Sequence, residues 1–366
     1  MQQGENGWFV LQDENAPFHS HFNRINGQYL RTGLLDENGK ETGEEPFFSS
    51  FPHLLDVGIM GSCGHGLSGL CKEAGDYCYQ SGATKIQDNM TLEDFKRIVD
   101  ECKGKVFQFA LGGRGDPDQH EQFEEFLKYS KQNGIIPNLT TSGYGLTKEK
   151  AQLIATHCGA VAVSWYRNQY THQAIEMLIK AGAKVNIHYV LSKDSLEEAI
   201  QILEQQTLPK GVNRIVFLLF KPVGQGKQHQ VLKTDQRTAH FFSLMDTEYG
   251  LSKTGFDSCM VPGVLNSTYV VDPDCFDACE AGRYSAYITP DMIMTPCSFD
   301  QNCNYGVSLK EKSLHDAWNS PSFTQFREKL SKACPDCSKR SNCFGGCPML
   351  PEITLCDDEH RRSERI

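Results

Sequence analysis

"LLDVGIMGSCGHGLSGLCKEAGDYCYQSG", residues 54–82, runs from an apolar strand-like segment straight into a loop carrying Cys63, Cys71 and Cys78. Glycines at 58, 61, 64, 66, 69 and 75 make this loop pliable. They permit positive φ, so backbone N–H groups can be turned toward anionic sulfur. Three thiolates bind three irons of a 4Fe-4S cube and leave the fourth open to a substrate or cofactor, whereas a fourth thiolate closes it.

Outward from this stretch the chain alternates. The strand-like runs "LLDVGIM", "VFQFALGG", "IIPNLTTSG", "AVAVSWY", "KVNIHYVLS" and "RIVFLLFKPVG" are separated by helical segments, among them "TLEDFKRIVDECK", "HEQFEEFLKYSKQNG" and "SLEEAIQILEQ". Helices of about a dozen residues between short β-branched strands predict repeated βα units on a parallel sheet. Six such strands predict an α/β fold, a partial (β/α)6 TIM-like barrel rather than an open sheet. In such a barrel the chemistry sits at the C-terminal strand ends, where the thiol loop emerges. Residues 1–50 are polar and form an N-terminal extension with short strand-like pieces, "GWFVLQ" and "QYLRTGLL", and solvated histidines at 19 and 21. The barrel is expected over 51–250. Past about residue 255 the rhythm stops, and 251–366 is expected to be a small cysteine-rich domain.

The chain has 366 residues, 15 of them cysteine, a net charge of -10 and a mean hydropathy of -0.44. No run approaches the roughly 18 apolar residues of a spanning helix, and the N-terminus lacks an export signal, so the expectation is a cytoplasmic protein with no membrane partner. The acidic balance argues against nucleic acid. In a reducing compartment clustered thiols point to metal rather than to disulfides. Cys102 and Cys158 stand apart, in helical contexts where a lone cysteine serves as a small buried hydrophobe.

At this point the chain resembles the radical S-adenosylmethionine (SAM) superfamily. The resemblance rests on the three cysteines at the first strand end, Tyr77 immediately before Cys78, and the following "CYQSG". The family spacing C-x3-C-x2-C is here C-x7-C-x6-C. Doubling a loop costs only about 0.6 kcal/mol of closure entropy, small beside several Fe–S bonds. "FALGGRGDPDQHEQF" is similar to the family's Gly-Gly-Glu-Pro segment, which implies SAM contacts from Gly113, Gly115 and Asp116, the aspartate standing for glutamate with a shorter reach. "LTTSG" resembles a later strand-end turn with Ser142 in place of Asn, and Ser164 falls where the next strand supplies a polar contact to SAM.

The C-terminal third resembles the SPASM domain, an appendage of radical SAM enzymes holding two auxiliary 4Fe-4S clusters. "CPDCSKRSNCFGGC" gives C-x2-C-x5-C-x3-C, followed by Cys356 and preceded by "CEAGRYSAYITPDMIMTPC". The resemblance implies an outer cluster on Cys334, Cys337, Cys343 and Cys356. It implies an inner one on Cys279, Cys297, Cys347 and an earlier cysteine, for which Cys259 is preferred over Cys275 and Cys303. Asp300 in "CSFD" is similar in placement to the base of sulfatase-maturing relatives. A zinc ribbon is the competing reading of such cysteine pairs.

The resemblance implies three 4Fe-4S clusters, one binding SAM and two auxiliary, and reductive cleavage of SAM to a 5'-deoxyadenosyl radical. Its partners are a peptide or protein substrate and an electron donor such as a reductase, flavodoxin or ferredoxin. The first expectation is modification of a ribosomally synthesised peptide. Residues 1–50 show no winged helix, so a separate leader-recognition protein is expected. The alternatives are maturation of a protein side chain, modification of a small metabolite, or a zinc-binding interaction protein.

Overall fold

The structure is a computed structural model describing residues 1–73, 78–272 and 275–356. Six strands follow the expected rhythm: β5 (Leu54–Met60), β6 (Gln108–Gly113), β7 (Ile136–Thr141), β8 (Val161–Ser164), β9 (Val185–Leu191) and β10 (Arg214–Leu219). Each pairs in parallel with the next. Between them run the helices α3 (Leu92–Cys102), α4 (Phe123–Gln132), α5 (Lys148–His157), α6 (Gln169–Lys180) and α7 (Leu196–Gln205). Two short helices, α1 (Gly64–Leu67) and α2 (Leu70–Glu73), lie inside the thiol loop.

The helices begin where side chains can satisfy their free N–H groups. Thr91 accepts from Asp94 N–H, Thr147 from Lys150 N–H and Asn168 from Thr171 N–H. Such a cap is worth about 1 kcal/mol. α3 buries Phe95, Ile98, Val99 and Cys102, so Cys102 is the buried hydrophobe its context predicts. Strand residues between the helices, such as Leu55, Val57, Phe109, Ile187 and Phe217, are fully enclosed, as strands covered on both faces require.

The sheet runs past the expected boundary at residue 250. After β10, helices α8 (Gln236–Met245) and α9 (Glu248–Lys253) lead to β11 (Thr254–Phe256), which adds in parallel to β10. On the opposite side β12 (Ser285–Ile288), from within the cysteine-rich segment, lies parallel to β5, and β13 (Ile293–Thr295) and β14 (Val307–Ser308) extend it antiparallel. One ten-stranded sheet results, in the order β11-β10-β9-β8-β7-β6-β5-β12-β13-β14. Three-residue "TGF" and cysteine-flanked "SAYI" are too short to register as strands by pattern; their pairing is set by the sheet edges they meet.

The N-terminal extension is itself a sheet of four antiparallel strands: β1 (Gln2–Gln3), β2 (Trp8–Gln12), β3 (His19–Asn23) and β4 (Tyr29–Arg31). His19 and His21 belong to β3 rather than to a loop. The alternation is hidden there because the polar side chains of "HSHFN" occupy both faces. Arg31 fastens this sheet to the segment before Cys279 through two bonds to Asp277, at 2.8 and 2.5 Å. Among the described residues no helix is long and apolar enough to cross a membrane.

Candidate active site

One cavity of about 440 Å³ opens at the C-terminal end of the parallel strands. Its wall takes Asp56 and Val57 from β5, Ala110 to Gly113 from β6, Thr140 from β7, Ser164 from β8, His188 and Val190 from β9, and Leu218 and Leu219 from β10. Contributions from six successive strands mean that the sheet curls around the cavity, as a partial barrel does. Cys63, Cys71 and Cys78 all reach this wall, joined by Gly113, Gly115, Asp116 and Ser164. The sequence places these groups up to a hundred residues apart; the barrel collects them.

The thiol loop is shaped toward its sulfurs. Gly66 N–H donates to Cys63 Sγ at 3.1 Å and Gly82 N–H to Cys78 Sγ at 3.5 Å. Burial, partly offset by the Gly66 N–H and reinforced by Asp116 and the other two thiols, pushes Cys63 up to about 12. Cys71 is raised by burial and by Cys78. Thiols that electrostatically disfavour one another's ionisation are matched by a cationic group between them. Among the described residues no three Cys, His, Asp or Glu side chains converge tightly enough to hold a single ion. These three line a cavity wall, an arrangement that fits a multi-atom cluster presenting one iron to the open space.

Two glycines explain how closely the loops approach. A Cβ on Gly115 would stand 2.1 Å from the Ser62 carbonyl oxygen, and one on Gly82 2.0 Å from that of Arg114. The thiol loop and the Gly-Gly-Arg-Gly-Asp turn therefore pack backbone on backbone, which only glycine allows. Asp116 is engaged by Ser142: the Ser142 N–H donates to Oδ1 at 2.7 Å and the hydroxyl to Oδ2 at 2.5 Å. Burial and the neighbouring Asp118 push Asp116 up to about 7. Two residues expected to touch SAM thus touch each other and tie the β6 turn to the end of β7. Tyr77 lies outside the described residues.

Four of the thiols expected as auxiliary ligands keep common electrostatic company. Cys259, Cys279, Cys297 and Cys347 are raised by burial first, and each of the first three also feels others of the four, with Cys279 reaching about 12. Cys275 is exposed, and Cys303 is influenced by Asp300 and Asp291 rather than by these thiols, so Cys259 is the one that keeps company with the inner set. Cys334, Cys337 and Cys343 lie in and around α13 (Arg340–Cys343), which follows α10 (Val261–Ser267), α11 (Leu314–Trp318) and α12 (Pro321–Ser331), with Cys356 beyond. Asp300 is buried, its two oxygens accepting the N–H groups of Asn304 and Tyr305, both at 2.9 Å. It closes a turn and is not among the residues lining the thiol cavity.

Other groups in the wall carry no motif. Asp56, on β5, is pushed up to about 7 by burial alone. His188 faces the same space, held down to about 4 by burial, with Nδ1 3.3 Å from the Thr140 hydroxyl. Lys221 is ion-paired with Asp257, and its side chain is only 3% exposed. Burial opposes its charge, but Asp257, followed by Cys259, outweighs burial and keeps the ammonium above its ordinary range. A lone acid in "LLDVGIM" and a lone lysine closing "RIVFLLFK" were the available signals: charges set in runs otherwise bound for the interior.

Residues 279–343 match the family model of SPASM, an iron-sulfur cluster-binding domain. Over 300 residues the chain is 24% identical to mycofactocin maturase MftC of Mycobacterium tuberculosis, covering 76% of this chain and 75% of that protein. It is 22% identical to the PqqA peptide cyclase of Methylocella silvestris, covering 80% and 83%. Among solved structures, Streptococcus suis SuiB bound to precursor peptide SuiA superposes with a TM-score of 0.69 at 14% identity, over 98% of this chain and 99% of that one. The anSMEcpe protein with bound AdoMet and Cp18Cys peptide gives 0.59 at 16% identity, over 85% and 95%. The expected fold class and the resemblance to radical SAM enzymes with a SPASM domain are borne out.

Proposed function

We propose that the protein is a radical SAM maturase that uses S-adenosylmethionine to modify a ribosomally synthesised peptide by hydrogen abstraction. The observation that carries this reading is the gathering of Cys63, Cys71 and Cys78 on the wall of one barrel-mouth cavity with Gly113, Asp116 and Ser164. When bound, a three-thiolate 4Fe-4S cluster supplies the electron that splits SAM into methionine and a 5'-deoxyadenosyl radical, which becomes 5'-deoxyadenosine on taking a substrate hydrogen.

The chain's own residues hold and shield the reactants. Gly66 and Gly82 N–H groups orient two of the sulfurs. The glycine turn at 112–115 presents backbone to the cavity, and Asp116, held by Ser142, fixes that turn against β7. Ser164 and His188 line the far side. Enclosure by the barrel excludes water from the reacting atoms. Asp56 offers a carboxyl able to exchange a proton with the substrate near neutral pH, and His188 a neutral imidazole able to hydrogen-bond to it.

Three clusters are the finer part of this proposal: one on the thiol loop, an inner one on Cys259, Cys279, Cys297 and Cys347, and an outer one on Cys334, Cys337, Cys343 and Cys356. A cytoplasmic setting, a separate leader-recognition protein and a flavodoxin- or ferredoxin-type donor complete it. Peptide chemistry is supported by what the relatives are named for: a maturase, a peptide cyclase and a structure with its precursor peptide. Anaerobic incubation with SAM and a strong reductant should release 5'-deoxyadenosine, read by mass spectrometry. Cys71→Ala should abolish it, and undiminished release from that variant overturns the assignment. Iron analysis of the same preparation separates this reading from zinc.

A further inference from the structure

Lys221 occupies the partition between the thiol cavity and the inner auxiliary cysteines. It follows β10, and its loop lies on the open-site thiol segment: Gln225 N–H donates to the Cys78 carbonyl at 3.1 Å, and a Cβ on Gly224 would stand 2.3 Å from the Tyr79 carbonyl oxygen. On its other side the ammonium is clamped by two residues that flank inner thiols. Asp257, two positions before Cys259, forms the ion pair, and Phe299, two after Cys297, places its ring centroid 4.5 Å from Nζ. Phe299 in turn packs on Tyr79, the neighbour of Cys78, with centroids 4.4 Å apart.

The Lys221 charge is felt by Cys259, Cys297 and Cys347, and at Cys259 it exceeds the opposing effect of Asp257. At Cys259 the cation therefore outweighs its partner. A cluster that accepts one electron gains one negative charge, and a fixed cation beside it in a poorly polarisable interior stabilises that reduced form.

We propose that Lys221, oriented by Asp257 and Phe299, is a positioning cation that raises the reduction potential of the inner auxiliary cluster, making it the better electron acceptor of the two auxiliary sites. This rests on the three-cluster reading above. The electron accepted in the test comes from dithionite, and no bond is made or broken at Lys221. Asp257 and Phe299, which hold the ammonium, neighbour Cys259 and Cys297 in the chain, so the effect is expected at the inner cluster.

The test uses the full chain, reconstituted anaerobically and carrying Cys71→Ala so that only auxiliary couples report. Potentiometric titration followed by electron paramagnetic resonance is run on this form and on the same form with Lys221→Met, Lys221→Gln or Lys221→Arg. The methionine variant should move one couple to more negative potential and leave the other in place. Arginine should restore it, and glutamine should behave as methionine does. An unmoved couple in Lys221→Met at full iron and sulfide content, or an equal displacement of both couples, overturns the proposal. If Lys221→Met fails to retain the inner cluster, Lys221→Gln decides: a fall supports the proposal and no change overturns it. A single auxiliary couple in the parent form overturns the three-cluster reading and this inference with it, whereas two couples unmoved by every variant overturn the inference alone.

Discussion

Asp116 and Ser142, twenty-six positions apart, meet through both carboxylate oxygens, one on the Ser142 N–H and one on its hydroxyl. The contact joins the turn after β6 to the end of β7 at the cavity rim. The short acidic side chain at 116 is therefore engaged by the scaffold. Ser142→Ala removes the hydroxyl bond and keeps the N–H. A hydrogen bond to an ionisable partner in this setting is worth about 1–3 kcal/mol. Denaturant unfolding of the variant should show a loss in that range, accompanied by weaker SAM binding in equilibrium dialysis.

Cys259 should be required for the inner cluster and Cys275 should not. Cys259 packs against the core, as does Cys347, and feels the charges of Cys347 and Cys279, whereas Cys275 is exposed. Cys259→Ser is expected to lower bound iron by about four atoms per chain, one cube's content. Cys275→Ser is expected to leave it unchanged. Equal losses in both variants would contradict the assignment.

Asp56 should trade stability against turnover. Burial raises its carboxyl from 3.8 to about 7, so the folded state favours the protonated form. That contribution is complete below 3.8, declines as pH rises, and is gone above about 7. Asp56→Asn has no such dependence. Relative to the parent, the variant should gain stability steadily between pH 4 and pH 7 and remain the more stable at pH 8, while its peptide modification falls because the cavity loses a proton-exchanging group.

His53 runs with the opposite sign. It is enclosed, with Nδ1 2.6 Å from the Tyr29 hydroxyl, and burial followed by the Arg31 charge lowers it from 6.5 to about 3. The fold favours the neutral ring, so its contribution is full above 6.5 and is lost as pH falls toward 3, amounting to a few kcal/mol. Unfolding measured from pH 7 to pH 4 should be less steep in His53→Gln than in the parent. Identical slopes would show that the ring titrates freely.

The barrel was legible because βα repetition is a local signal, carried by β-branched runs and by helices with one apolar face such as that of Phe95, Ile98 and Val99. The three loop cysteines stood out by their number and by their place at the end of the first barrel strand, although their spacing is wider than the family's. What escaped reading was decided at a distance. β12 is a strand because the β5 edge is there to receive it, and β3 is a strand although its polar side chains hide the alternation. Asp56 and Lys221 bear no motif, and their meaning comes from the cavity they border. Asp300 looked like a base by its position after a cysteine; its oxygens turn out to be taken by Asn304 and Tyr305.

The pairing of Ser285–Ile288 with Leu54–Val57 has a consequence for biosynthesis. As the ribosome releases the chain, the hydrogen-bonding edge of the first barrel strand waits, unsatisfied, while more than two hundred further residues are made. Such an edge is sticky toward other chains. Growth conditions that slow translation of this middle stretch should send the nascent protein into aggregates, and insertion of the missing strand is the moment at which cysteines 279 and 297, on either side of it, are first drawn into place.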